Sequence, residues 1–242
     1  MARGFSFQSV ARSHRGRVRR LNEDRFLDAP EAGLWAVADG MGGHQAGDVA
    51  AELTVEGLAE LGAFGSGYAH LTAVCERLQR INDELRRRAA ERPAGSVIGA
   101  TVVALLVHED HYACVWAGDS RAYLLRNGQL EQITRDHSLV QDLVDSGAIR
   151  PEEARGHRHA NVITRAVGAQ ANLAPDLHNA ALEPGDLFLL CSDGLTGALE
   201  DAEIAEVLGR CDLESAADEL LQRTLDRGAR DNVTLLLVAA SA

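Results

Sequence analysis

The distribution of apolar positions divides the chain into runs of strand length interrupted by stretches of helical period. Alternation and β-branched content predict strands at 5–11, 24–28 and 34–38. Residues 47–61 then set Val49, Leu53, Leu58 and Leu61 along one side of a predicted helix. A second helix is predicted over 69–91, where Leu71, Val74, Cys75, Leu78, Ile81 and Leu85 keep helical spacing and Pro93 marks the end. Strand character follows at 97–107, 111–117, 121–126 and 129–133, the last two joined by the hairpin signal Asn127-Gly128. Residues 137–160 turn polar and helical on either side of Pro151 and finish in an aperiodic loop. A strand at 186–192, helices near 201–208 and 214–227 and a strand at 232–239 complete the chain.

This order lacks βαβ alternation, which argues against a doubly wound sheet. Two mostly antiparallel sheets, each carrying a pair of helices on its outer face, accommodate every amphipathic segment, so an α+β, four-layer α-β-β-α sandwich is expected. No linker rich in Pro, Gly or Ser divides residues 1–242, and one domain is expected.

Composition narrows the function. No run approaches the roughly eighteen apolar residues of a membrane span, so a soluble protein is expected, without a membrane partner. A net charge of −12 argues against a nucleic-acid binder. All 24 basic residues are arginine, and the absence of lysine excludes P-loop NTPases, protein kinases and pyridoxal-phosphate enzymes, each of which needs one. Cys75, Cys114, Cys191 and Cys211 show no CxxC spacing and read as buried thiols in a reducing compartment. The first 22 residues hold six arginines and no acid, as transit peptides do, but FSFQSV alternates like a strand and GRVRRLNEDRF runs directly into a polar motif. The segment reads as mature sequence of a cytoplasmic protein.

Four acids stand where apolar strands emerge. Asp39 ends LWAVA and is followed by three glycines in four positions; Asp193 ends LFLLCS, again before a glycine; Asp119 follows YACVWAG; Asp231 precedes NVTLLLV. Carboxylates gathered at neighbouring strand ends repel and call for a cation. Oxygen-only ligands favour Mg²⁺ or Mn²⁺ over zinc, and the glycines let backbone approach the ion.

These residues resemble the metal-dependent protein phosphatases of type 2C, the PPM family, in their compact bacterial form. The matching segments are VRRLNEDRF (18–26), AVADGMGGHQAGDVAA (36–51), GATVV (99–103), AGDSRAYLLRNGQLEQITRDHS (117–138), VITRAVG (162–168), LLCSDGLTGAL (189–199) and ARDNVTLLLV (229–238), in the family's order and covering almost the whole chain. The resemblance implies a β-sandwich flanked by helix pairs, with a variable flap at about 137–160 beside the active site. It implies hydrolysis of phosphoserine and phosphothreonine in proteins, by in-line attack of a water bridging two Mn²⁺ or Mg²⁺ ions. Asp39 matches the aspartate that bridges the two metals and Gly40 a carbonyl ligand; Asp193 and Asp231 match the other direct carboxylate ligands. Glu23 and Asp24 match acids that hold metal-bound waters, and Asp119, with Asp193, matches ligands of a third metal. Arg19 matches the arginine that grips the substrate phosphate, a task suited to a planar fork.

The sequence departs from the eukaryotic pattern at Met41, where those members carry a histidine proposed to protonate the leaving group. His44 is a candidate for that role, or for a substrate contact, beside a metal-bound water. Arg17 and Arg20 compete with Arg19 on composition alone. His157 and His159 read as part of a solvated loop, and Cys191 as a packing residue. The second expectation, a pseudophosphatase that binds phosphoproteins without turnover, is disfavoured because every direct ligand acid is present. Bacterial members commonly oppose a Ser/Thr kinase, and small stand-alone members accompany kinase-regulated type VI secretion systems. Phosphorylated protein partners and a monomeric state are therefore expected.

Overall fold

Strands built wholly of apolar residues need cover on both faces, and the architecture supplies it. The computed structural model describes residues 4–42, 46–93 and 95–242. In chain order the strands and helices are β1 (Ser6–His14), β2 (Asp24–Ala29), β3 (Leu34–Met41), α1 (Ala46–Ala59), α2 (Gly67–Ala90), β4 (Gly99–Ala100), β5 (Val102–His108), β6 (His111–Ala117), β7 (Arg121–Arg126), β8 (Gln129–Gln132), α3 (Leu139–Asp145), α4 (Pro151–Ala154), β9 (Asp176–Ala181), β10 (Leu187–Cys191), α5 (Asp193–Thr196), α6 (Asp201–Arg210), α7 (Leu213–Asp226) and β11 (Val233–Ser241).

One sheet runs β1-β11-β10-β7-β8 and the other β2-β3-β5-β6-β9, with the short β4 added to β3. Paired strands are antiparallel throughout. Alternate residues of one strand serve different layers. In β3, Leu34, Ala36 and Ala38 pack under α1 and α2, while Trp35 and Val37 fill the space between the sheets. In β11, Leu235 and Leu237 pack under α6 and α7, while Leu236 and Val238 turn to the other sheet. The result is the expected four-layer α-β-β-α sandwich of two antiparallel sheets. Asn127 and Gly128 adopt φ of 52° and 77° at the β7–β8 hairpin, as a two-residue turn of that type requires.

Three details differ from the sequence pattern. Helix α1 buries Ala46, Ala50, Ala51, Val55 and Leu58, whereas Val49 and Leu53 lie only partly covered. Its small side chains let the helix axis approach β3, which the larger residues on the predicted face would prevent. The predicted strand 97–107 divides into β4 and β5 at Thr101, whose backbone turns to bond Asp39. Strand β9 carries no apolar run; it pairs only with β6, at a sheet edge, and is largely exposed, so one-sided burial erased the signal. No helix among the described residues is long and apolar enough to cross a membrane.

Candidate active site

Antiparallel register delivers the acids to one end of the sandwich. Asp24 opposes Asp39 across β2 and β3. Val102 opposes Ala117, so Thr101 and the Gly118–Asp119 turn leave the same end of that sheet. In the other sheet, Cys191 opposes Leu235, which sets Asp193 and Asp231 just beyond the end of the β10–β11 pair.

Side chains join the two sheets there. Ser192 Oγ donates to Asp24 Oδ2 at 2.7 Å, the Glu23 N–H donates to Asn232 Oδ1 at 2.8 Å, and Arg19 Nη2 donates to Asp231 Oδ2 at 2.6 Å. Within its own sheet Asp39 is held by Thr101: the Asp39 N–H donates to Thr101 Oγ1 (3.1 Å) and the Thr101 N–H to the Asp39 carbonyl (2.8 Å). Thr101 Oγ1 also shares a hydrogen bond of 2.6 Å with Ser120 Oγ, which ties Asp39 to the Asp119 turn.

Two close backbone approaches make this convergence possible. A Cβ on Gly40 would lie 2.0 Å from the Gly47 carbonyl oxygen and 2.8 Å from that of Glu23. A Cβ on Gly194 would lie 1.8 Å from the carbonyl oxygen of Asn232. Only glycine lets the segments after Asp39 and Asp193 sit against their neighbours.

The resulting field is strongly negative. Burial, then the neighbouring charges of Asp24, Asp193, Asp119 and Asp231, holds the Asp39 carboxyl well above the usual carboxylate range. Burial pushes Asp24 up to about 7 against the stabilising bond from Ser192, and pushes Asp119 up to about 7 with help from the charge on Asp193. Asp193 rises to about 6 through burial and the Asp231 charge, with Arg19 and Arg121 opposing. Asp24 Oδ1, Asp119 Oδ1 and Asp193 Oδ1 are buried without any hydrogen-bond partner. Such oxygens are costly unless something cationic or protic meets them.

An all-oxygen donor set with orphaned buried oxygens and a close-packed glycine cradle fits a hard divalent cation. Among the described residues no three His, Cys, Asp or Glu side chains form a ready-made ligand group.

Arg19, Glu23, Asp24, Asp39, Gly40, Asp119, Asp193 and Asp231 thus all stand at one end of the fold. Arg19 spends one donor on Asp231, while its Nε and Nη1 have no partner among the described residues. His44 lies outside the described residues. Sequence reasoning passed over Thr101, Ser192 and Asn232, which position the acids rather than present charge themselves; it read the glycine after Asp193 as room for backbone beside an ion, and Gly194 also packs against the Asn232 carbonyl. The signal of the three polar residues was available inside the segments GATVV, LLCSDGLTGAL and ARDNVTLLLV, where they flank an apolar strand. It also passed over Arg121, which grips Asp136 through Nε and Nη2 (2.7–3.1 Å) beside Asp119.

Residues 138–160, which carry α3 and α4, cover one side. A cleft of about 440 Å³ separates Ser138, Val140 and Pro151 from Asp119, Asp193 and Glu200. Arg155 crosses it, with Nη2 donating to the carbonyls of Thr196 (3.1 Å) and Gly197 (2.7 Å) and Nη1 pairing with Glu200.

A two-sheet sandwich with an acidic, oxygen-lined end of this kind is the architecture of metal-dependent phosphatases. The family model for protein phosphatase 2C matches residues 11–237, and the chain belongs to that family. It is 37% identical to the serine/threonine phosphatase stp of Listeria innocua, over 94% of this chain and 93% of that protein. It is 44% identical to the solved structure of PppA, a key regulatory component of T6SS in Pseudomonas aeruginosa, covering 97% of both chains with a TM-score of 0.89. The catalytic domain of the serine/threonine protein phosphatase PstP, solved in complex with 2 manganese ions, is 37% identical, covering 99% of this chain and 100% of that one at a TM-score of 0.87.

Proposed function

We propose that the protein is a Mn²⁺- or Mg²⁺-dependent phosphatase of phosphoserine and phosphothreonine in proteins. The observation that carries this reading is the convergence of Asp24, Asp39, Asp119, Asp193 and Asp231 at one end of the sandwich, with three of their oxygens buried and unpartnered. In this reading Asp39, Asp193, Asp231 and the Gly40 carbonyl hold two ions directly, Glu23 and Asp24 act through waters, and Asp119 with Asp193 takes a third. Bound there, the ions supply an activated water and neutralise phosphate charge. Arg19 orients the phosphate through the donors that Asp231 leaves free, a planar fork suited to two oxygens. Asp231 in turn holds the guanidinium at the edge of the site.

The stretch 137–160, anchored by Arg155, acts as a flap that sets access to the cleft. The likeness to the serine/threonine phosphatases stp and PstP supports phosphoserine and phosphothreonine proteins as substrates, and the likeness to PppA supports a role in control of type VI secretion; the partner this reading expects is a Ser/Thr kinase whose products the enzyme dephosphorylates.

Hydrolysis of a phosphothreonine peptide, measured with Mn²⁺, with EDTA, and for Asp193→Asn with Mn²⁺, tests the reading. Turnover is expected with Mn²⁺ alone and to vanish in both other arms. Turnover that survives EDTA and Asp193→Asn places the chemistry elsewhere. A wild type that binds the peptide but releases no phosphate makes the protein a phosphoprotein-binding pseudophosphatase.

A further inference from the structure

The net charge is −12, yet the lip of the acidic site is basic. Arg15, Arg17, Arg20 and Arg230 are all exposed, and none has a carboxylate within ion-pair distance among the described residues. Arginines elsewhere are mostly neutralised, as Arg12 is by Glu214 and Asp218, Arg126 by Asp186, and Arg227 by Glu203.

Backbone packing gathers the four unneutralised cations. Gly16 rests against the carbonyls of Ala229 and Asp231, closely enough that a Cβ there would overlap both. The Arg17 N–H donates to the Ala229 carbonyl at 2.9 Å. Asn232 Nδ2 donates to the carbonyls of Arg15 (2.9 Å) and Leu21 (2.8 Å). The loop 15–21 is therefore clamped to the segment 229–232, which carries Asp231 itself. Between them Arg19 reaches Asp231, and a cleft of about 390 Å³ leads from Asp193 and Asp231 to Arg227 and Arg230. Val18 and Leu21, on the same loop, are 65% and 46% exposed.

Like charges crowded on an exposed loop repel one another, and their field reaches about 8 Å at physiological ionic strength. That span covers the residues flanking a phosphate seated at Arg19. A lip that reverses the sign of the whole protein steers and retains anions in a way that bulk charge opposes. We infer that loop 15–21 and Arg230 form a docking surface for an acidic segment beside the phosphorylated residue of the substrate protein, with Val18 and Leu21 as its apolar contacts. The negative charge is supplied by Asp and Glu side chains of that segment. The inference rests on the phosphatase reading above, because that reading supplies the phosphate that brings the segment to the lip.

The test uses the full chain with Mn²⁺ and four phosphothreonine peptides, flanked by glutamates, by a second phosphoserine, by alanines or by arginines. Wild-type kcat/KM is expected to be highest for the acidic peptides and lowest for the arginine peptide, with the difference in KM and erased by raising the salt. In Arg15→Glu/Arg20→Glu and in Arg230→Glu the ratio of acidic to basic kcat/KM should fall about two- to five-fold per reversed charge, the range of an exposed ion pair. Preference for the glutamate peptide, whether or not the second phosphate matches it, supports the acidic segment; preference for the second phosphate alone overturns it. A wild-type ratio within about twofold of one, or variants that keep a selective wild-type ratio, overturns the docking surface. If none of the peptides is hydrolysed, the phosphatase reading fails, and the same peptide order read by fluorescence anisotropy then decides the docking surface alone.

Discussion

Gly194→Ala tests directly whether backbone contact assembles the acidic site. The new methyl would sit 1.8 Å from the Asn232 carbonyl oxygen and 2.9 Å from its carbon, where ordinary contact begins at 3.4 Å. The obstacle is main chain rather than the tip of a flexible side chain, so α5 or the entry to β11 must shift by about 1.5 Å to relieve contacts of this kind. Overpacking of that sort costs about 1–3 kcal/mol, and a misplacement of about 1 Å at a reacting centre costs on the order of a hundredfold in rate. The variant should therefore fold, with its urea midpoint lowered, but hydrolyse a phosphothreonine peptide roughly a hundredfold more slowly and bind Mn²⁺ more weakly. Gly209→Ala is the control. Gly209 lies in α6, where a Cβ would meet nothing within 4 Å, and replacing it should stabilise the helix by up to about 1 kcal/mol without touching activity. If Gly194→Ala keeps both the wild-type urea midpoint and wild-type turnover, the contact between these two segments does not build the site.

Other outcomes follow from the same geometry. In chelator, Asp24 and Asp119 titrate near 7 and Asp193 near 6 in the folded state, against about 3.9 unfolded. Their folded pKa values are raised, so their contribution to stability is complete below about pH 4 and lost as pH rises through 6–7. The melting temperature with EDTA should fall between pH 5 and 7.5 and recover on adding Mn²⁺; a flat profile would contradict the burial of these acids. Arg155→Ala removes the bonds to Thr196, Gly197 and Glu200. With these groups partly exposed, about 1 kcal/mol of local stability is at stake, read as amide exchange across 150–163 quickening about fivefold. Trp35 is fully buried between the sheets with Nε1 donating to Asp28 Oδ1 at 2.9 Å. Trp35→Ala should cost about 3–5 kcal/mol in denaturant unfolding.

The strands and helices that stand on strong apolar periodicity were legible in the chain itself. Runs such as LWAVA and VTLLLVAA can only be buried, helix α2 displays its stripe openly, and together they dictated two sheets between helix pairs. The acids at strand ends were legible too, because a charge that terminates an apolar run has few structural reasons to be there. Elements whose role is defined by a neighbour were not legible. Strand β9 exists because β6 offers it an edge. The buried face of α1 begins with Ala46, Ala50 and Ala51 because Gly40 and Gly47 draw that end of the helix against β3. Ser192, Thr101 and Asn232 matter through a few side-chain hydrogen bonds between segments remote in the chain.

Residue order alone thus shows where charge lies, which strands need cover on both faces, and which acids emerge where those strands end. That the ends meet is a consequence of packing. Register across two separate sheets brings Asp24 to Asp39 and Asp193 to Asp231, and the link from Ser192 to Asp24 joins the pairs. Distance between residues remote in sequence is a property of packing, and no periodicity along a chain encodes it.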